Sequence, residues 1–270
     1  MTLVAAIQMM SGPRVPDNLD AAGRQIAAAA AAGAQLVVLP ENFALMPLND
    51  ADRLAAVEKD GNGPIQSFLS AQAKNHRIWV VGGTIPLAAK DPGKVRAACL
   101  LFNDRGERVA RYDKIHLFDV QLDNGEKYHE SNSFEAGDAV VVADTPYGKL
   151  GLAVCYDLRF PELFRRQQEQ GAEIFAVPAA FTAHTGKAHW EVLLRARAIE
   201  NLVYVIAAAQ DGRHANGRET HGDSMVVNPW GEILARLAHG AGYVGAECDR
   251  VLLQEVRKNL PSIRHRRLSS

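Results

Sequence analysis

One stretch of this chain occurs twice. Gly33-Ala34-Gln35-Leu36-Val37-Val38-Leu39-Pro40-Glu41-Asn42-Phe43 is echoed by Gly171-Ala172-Glu173-Ile174-Phe175-Ala176-Val177-Pro178-Ala179-Ala180-Phe181. In each half an expected strand and helix precede it: Leu3 to Gln8 with Asn18 to Ala32, then Lys149 to Val154 with Pro161 to Gln170. In the first helix Leu19, Ala22, Ile26, Ala29 and Ala30 share a face. Gly33 suits a left-handed stop, and Pro161 a first helical turn. The parallel continues with helices over Pro64 to His76 and Ala188 to Asn201. Near-continuous apolar runs follow, Ile78 to Thr84 and Leu202 to Ala208, and read as buried strands. Each half then reaches a hairpin turn, at Asn103 to Gly106 and at Asn228 to Gly231.

Strands alternating with helices imply right-handed parallel crossovers. Crossovers of one hand place both helices of a half on one sheet face and leave the other face apolar. Two such sheets bury those faces against each other. The expected fold is an α/β helix–sheet–sheet–helix sandwich with an internal pseudo-twofold. An ordinary doubly wound sheet with coincidental similarity between halves is the alternative. No linker marks a boundary, so residues 1–270 are expected to form a single domain with a C-terminal tail from about 256 to 270.

With 47% hydrophobic residues in 270, the chain can bury a substantial core. Thirty basic against 31 acidic residues give a net charge of −1, so there is no electrostatic case for nucleic acid or an anionic membrane. No apolar run approaches the ~20 residues of a membrane span, and the N-terminus reads as a strand rather than a signal peptide. Cys99, Cys155 and Cys248 are odd in number and widely separated, which fits free thiols in a reducing, cytoplasmic setting.

Three residues carry candidate chemistry at strand ends: Glu41, Lys114 and Cys155. Cys155 ends an apolar strand where the chain turns toward the Pro161 helix, and ligands in α/β folds gather at carboxyl strand ends. The polar run Tyr156-Asp157-Leu158-Arg159 follows at once. A thiol with an ordinary pKa of about 8.5 needs a base or cation to act near neutrality. By the internal echo Glu41 takes the place of Ala179, beside the second half's equivalent strand and so within reach of the site across the pseudo-twofold. In a partly dry cleft its pKa is expected to rise. Lys114 ends the first hairpin and can stabilise an oxyanion while favouring the thiolate. A Cys155–His116 pair is a rival arrangement. Cys99 and Cys248 read as packing residues. His184 with His189, and His214 with His221, lack metal-ligand spacing and read as surface or pocket residues, so no metal is expected. Gly82-Gly83-Thr84 is too short for a phosphate loop, and Asp211-Gly212 reads as a turn.

Leu39-Pro40-Glu41-Asn42, Tyr112-Asp113-Lys114-Ile115-His116-Leu117 and Val154-Cys155-Tyr156-Asp157-Leu158-Arg159-Phe160-Pro161-Glu162, in this order, resemble the motifs of the nitrilase, or carbon–nitrogen hydrolase, superfamily. The resemblance covers nearly the whole chain. It implies a four-layer αββα sandwich, a Glu41–Lys114–Cys155 triad, no cofactor, and a homodimer. It also implies a second glutamate between the lysine and cysteine motifs, for which Glu130 is the candidate. Cys155 to Glu162 looks like the group containing omega-amidases and deaminated-glutathione amidases. Gly186 to Glu200, Ala207 to His214 and Ser224 to Gly231 are similar to the latter.

The resemblance implies an amidase that cleaves deaminated glutathione to 2-oxoglutarate and cysteinylglycine through a thioester on Cys155. Glu41 would act as acid and base, Lys114 and the Tyr156 N–H would hold the oxyanion, and Glu130 would assist water. Arg159 is the candidate for the substrate carboxylate, because a guanidinium can grip it through two hydrogen bonds. Its bland reading is a structural salt bridge. Phe181 and Thr182, in a loop running to Gly186, are candidate pocket residues. The alternatives are an omega-amidase acting on 2-oxoglutaramate and, in another class, a catalytically silent scaffold. The basic tail Val256 to Arg267 is a candidate for swapping onto a partner subunit.

Overall fold

A computed structural model of the chain describes residues 1–268. The first half runs through β1 (Thr2–Gln8), α1 (Val15–Ala31), β2 (Leu36–Val38), α2 (Asp50–Ala55), α3 (Pro64–His76), β3 (Trp79–Val81), β4 (Ile85–Ala88), β5 (Val95–Phe102) and β6 (Arg108–Asp113). A small hairpin, β7 (Asp119–Gln121) and β8 (Lys127–His129), leads on to β9 (Val142–Thr145). The second half runs through β10 (Gly148–Leu152), α4 (Pro161–Glu169), β11 (Ile174–Ala179), α5 (Ala183–Asn201) and β12 (Tyr204–Ala209). A second small hairpin, β13 (Asp211–Arg213) and β14 (Glu219–His221), precedes β15 (Ser224–Val227), β16 (Ile233–Leu237), β17 (Gly242–Cys248) and α6 (Arg250–Asn259).

The pseudo-twofold is explicit in the pairing. β1, β2 and β3 are parallel, β5 joins β3 antiparallel, and β6 joins β5. In the other sheet β10, β11 and β12 are parallel, β15 joins β12 antiparallel, and β16 joins β15. Strand alternation then builds the layers. Ala5, Ile7, Val37, Leu39 and Val80 face α1 and α3, packing on Ala22, Ile26, Ala29, Ile65 and Leu69. Their neighbours Val4, Ala6, Leu36, Val38 and Val81 turn the other way, into the core shared with the second sheet. That sheet's outer face is covered by Leu163 and Phe164 of α4 and by Trp190, Leu194 and Ala198 of α5. The result is the αββα sandwich, and the doubly wound alternative is excluded.

Local chemistry explains where these elements start and stop. Gly33 follows α1 at φ +95°, a conformation that favours glycine. Pro64 and Pro161 open α3 and α4, where the missing N–H costs nothing. Three sequence readings need correction. Helix α5 starts at Ala183 rather than near Ala188, because the Thr182 hydroxyl accepts the Thr185 N–H and caps it. The Phe181 to Gly186 segment is therefore mostly the first turn of a helix. Asp211-Gly212 lies inside β13, not in a turn. Finally, Val256 to Asn259 close α6 and are docked on their own chain: Val256 is buried, and Arg257 donates to the carbonyls of Leu202 and Ala172. Ser269 and Ser270, at the end of the expected tail, lie outside the described residues.

Candidate active site

The edges that carry Glu41, Lys114 and Cys155 meet at one end of the sandwich. Glu41 follows β2, at the end of the Leu39-Pro40 extension. Its neighbour Asn42 is left-handed, at φ +58°, and the Asn42 N–H is held by Thr84 Oγ1 at 2.9 Å. Gly83 is required beside this turn, since a Cβ there would stand 2.1 Å from the Pro40 carbonyl oxygen. The Gly82-Gly83-Thr84 segment thus shapes the Glu41 turn.

Cys155 opens a short 3-10 turn, Cys155–Arg159, between β10 and α4. It too is left-handed, at φ +49°, which costs a non-glycine residue roughly 1 kcal/mol or more. The buried Asp157 holds the turn in place. Its carboxylate accepts from the Val154 N–H at 2.8 Å and from the Tyr112 hydroxyl at 2.7 Å. It also accepts from the His116 N–H at 3.1 Å and contacts His116 Nδ1 at 2.7 Å. One carboxylate therefore ties the turn carrying Cys155 to the turn carrying Lys114. His116 is engaged there and stacks on Phe160 at 3.7 Å between centroids. The described hydrogen bonds do not pair it with Cys155, contrary to the rival arrangement.

Lys114 lies between two carboxylates. Its Nζ donates to Glu41 Oε1 at 2.8 Å and to both Glu130 oxygens at 2.9 Å. Glu130 is fixed in turn by the Phe118 N–H at 2.6 Å. The other Glu41 oxygen accepts the Ala180 N–H at 2.9 Å. That contact is the cross-sheet approach expected from the internal echo, one residue beyond Ala179.

The Glu41 carboxyl shifts in the direction opposite to that expected. Burial alone would raise the Glu41 pKa, but Lys114, Arg218 and a hydrogen bond from Cys155 outweigh it and hold the carboxyl below its ordinary value. Burial opposes charge on Lys114 too, yet Glu130 and Glu41 raise its pKa well above the ordinary range. Burial and the Glu41 charge push the Cys155 thiol up, against the weaker pull of Lys114. The resting site therefore holds an ionised base, an ammonium and a neutral thiol. Alkylation of Cys155 by iodoacetamide is expected to keep accelerating past pH ~8.5, the ordinary thiol value. A plateau beginning below about pH 7, as a preformed thiolate would give, contradicts this. Slow labelling at neutrality is thus compatible with an active enzyme and does not by itself indicate a silent scaffold.

These groups line a cavity of about 270 Å³. Tyr156, Arg159, Phe181 and Thr182 also line it, as does Glu130. Arg159 has no carboxylate partner among the described residues, so it is not a structural salt bridge. Its guanidinium lies 5.3 Å from the Phe181 ring centroid and 5.8 Å from that of Tyr156, and contacts His189 Nδ1 at 3.2 Å. Thr182 is buried, with its hydroxyl shared with Thr185 Oγ1 at 2.8 Å. Sequence reasoning missed Arg53, Phe118, Lys127, Tyr128 and Arg218, which complete the wall. They lie on α2 and around the two small hairpins, in polar segments with no periodicity to reveal their direction. His214, read as a surface or pocket residue, is instead buried between the Ser11 carbonyl and Thr220 Oγ1.

Comparison with known proteins bears on the family and the fold. The carbon-nitrogen hydrolase family model matches residues 3–258. A Yersinia enterocolitica protein named deaminated glutathione amidase is 43% identical, over 99% of this chain and 93% of its own length. One of the same name from Synechocystis is 43% identical, over 98% of this chain and 97% of its own. The crystal structure of the C. elegans NitFhit protein superposes with a TM-score of 0.89 at 36% identity, covering 98% of this chain. This chain spans 65% of that longer protein. The fold, the order of the motifs and these similarities show that the chain belongs to the carbon–nitrogen hydrolase family.

Proposed function

We propose that this protein is an amidase that hydrolyses the amide bond of deaminated glutathione, releasing 2-oxoglutarate and cysteinylglycine. The observation that carries the proposal is the convergence of Glu41, Lys114 and Cys155 in one cavity, with Lys114 bridging Glu41 and Glu130. The relatives of that name, matched over nearly the full chain, support the choice of substrate.

Cys155 Sγ attacks the amide carbonyl carbon and forms the S–C bond as its proton passes to Glu41. Transfer during attack suits a neutral thiol beside an ionised carboxylate. The oxyanion takes a hydrogen bond from the Tyr156 N–H and from Lys114, one of whose three N–H groups turns from Glu130 to the substrate oxygen. As the tetrahedral species collapses the C–N bond breaks, and Glu41 delivers its proton to the departing amine. Water then adds to the thioester, losing a proton to Glu41, while Glu130 holds Lys114 in place. Cleavage of the C–S bond returns the proton to sulfur and releases the acid. The cycle consumes one water and no cofactor.

Arg159 holds the carboxylate at the 2-oxoacid end, with Tyr156, Phe181 and Thr182 shaping the acyl pocket. Arg159→Lys is expected to raise KM for the 2-oxoglutaryl amide about tenfold or more, as a two-point contact is lost. KM for an amide lacking that carboxylate changes far less. Equal changes on both substrates would remove Arg159 from this role.

The whole chain acts as one hydrolase domain, in the cytoplasm, as a homodimer. All three cysteines are free and buried, as suits a reducing compartment. Val192 and Ile199 of α5 and the nearby Trp230 are exposed apolar side chains that fit a subunit contact. The deciding assay compares hydrolysis of deaminated glutathione and 2-oxoglutaramate, with Cys155→Ala as control. A strong preference for the first supports the proposal. Preference for the second makes the protein an omega-amidase, and activity on neither discards the 2-oxoglutaryl substrates.

A further inference from the structure

The cavity around Cys155 does not end at the catalytic groups. It adjoins a second groove of about 630 Å³, and the two share Asp50, Arg53, Lys127, Tyr128 and Arg218 as walls. A primary amide has a leaving group no larger than ammonia and has no use for this space. The charges along the groove are unevenly satisfied. Asp50 pairs with Arg53, Glu126 accepts from the Tyr128 hydroxyl at 2.7 Å and from Asn124 at 2.8 Å, and Glu219 lies 4.0 Å from Arg213. Arg218 and Lys127 have no carboxylate partner among the described residues.

Arg218 is the more telling of the two. Its Nη2 donates to the Ala180 carbonyl, and its guanidinium lies 5.3 Å from the Tyr128 ring centroid. Its Nε is buried and makes no hydrogen bond, an expensive condition unless a ligand supplies the acceptor. The hairpin that carries it is rigidly held. Asn216 donates to the Pro47 carbonyl at 2.9 Å and accepts the Arg218 N–H at 3.0 Å. His214 anchors its base to Ser11 at 2.9 Å. Arg159, the other guanidinium in the cavity without a carboxylate partner, stands instead over Phe181 and Tyr156. The cavity thus offers two separately mounted guanidinium groups beside one thiol.

We infer that Arg218, with Lys127 at the rim, binds a carboxylate on the leaving amine, so that the site selects amides whose amine portion is an anionic peptide. This rests on the amidase reading above and adds the determinant of its leaving-group specificity. Arg159 and Arg218 would hold a substrate by its two ends, with the scissile carbonyl between them at Cys155. Such two-ended anchoring fixes the reacting atoms near the attack geometry.

The test uses three amides of 2-oxoglutarate: those of cysteinylglycine, of cysteinylglycinamide and of ammonia. Wild-type protein is expected to lose about 10- to 100-fold in kcat/KM when the terminal carboxylate becomes an amide, the range of a charge-assisted hydrogen bond. Arg218→Met weakens the field on Glu41 for every substrate, so all three amides should lose some kcat/KM, but the loss on the cysteinylglycine amide should exceed that on the other two, for which no such bond exists, by about tenfold or more. Arg218→Lys should recover part of the loss. Equal losses on all three substrates would make Arg218 a structural support for Ala180 and Glu41 and overturn the inference. So would a wild-type protein indifferent to the terminal carboxylate. Wild-type protein that cleaves none of the three overturns the 2-oxoglutaryl reading of the substrate, and this inference with it.

Discussion

Glu41→Gln is expected to lower the rate of Cys155 acylation by about a thousandfold or more, near the upper range for a positioned general base. Burial is the largest cause that keeps the thiol neutral and it survives the substitution, so little thiolate sustains attack once the base is gone. Glutamine keeps the size of the side chain, but its one carbonyl oxygen can accept from Lys114 or from the Ala180 N–H and not from both, so the fold should survive with a modest fall in Tm. His116→Ala is the informative companion. Its ring is bound to Asp157 and stacked on Phe160, so its loss should cost about 1–3 kcal/mol of stability while acylation continues. Single-turnover release of the amine measures acylation directly. A His116→Ala protein that folds but cannot acylate, beside an active Glu41→Gln protein, would reinstate the cysteine–histidine arrangement.

The second large effect is on stability. Lys114→Met strands Glu41 and Glu130 around an apolar side chain, and breaking a buried ion pair in this way costs about 3–5 kcal/mol. Urea denaturation near neutral pH should show that loss, and turnover should fall about a hundredfold or more with the oxyanion donor gone. The pH dependence of stability should change sign as well. In the native protein the Glu41 pKa lies below its ordinary 4.5. Its ionised form therefore contributes stability that is fully present above that value and is lost as pH falls through the folded value. Without Lys114, one of the two facing carboxylates is pushed above its ordinary value, and the variant gains stability relative to native protein as pH falls from neutrality toward about 5. Adding Glu130→Gln to Lys114→Met should restore part of the stability and none of the activity. A Lys114→Met protein as stable as the native one would mean that the three charges are not buried together.

Much of this architecture was legible because the core elements are strongly patterned. The Pro64 to His76 helix coincides with α3, and the echo between the two halves placed Glu41 across from the end of β11, where it meets the Ala180 N–H. The walls of the site were not legible. β7, β8, β13 and β14 are three residues each and polar, so neither periodicity nor burial marks them, and Arg218 sits between two of them. The start of α5 was missed because Thr182 reads as a loop residue until its hydroxyl is seen accepting the Thr185 N–H and capping the helix. The direction of the Glu41 shift was read with the wrong sign for a related reason. At Glu41 desolvation opposes the fields of Lys114 and Arg218, and which side wins depends on distances of about 3 Å that a sequence does not contain.

The most direct test of the account is the intact mass of the protein quenched in acid during turnover of deaminated glutathione. The account predicts a population carrying one 2-oxoglutaryl group, released by hydroxylamine, located on the peptide containing Cys155, and absent from Cys155→Ala. Turnover without such an adduct, undiminished in Cys155→Ala, would contradict it.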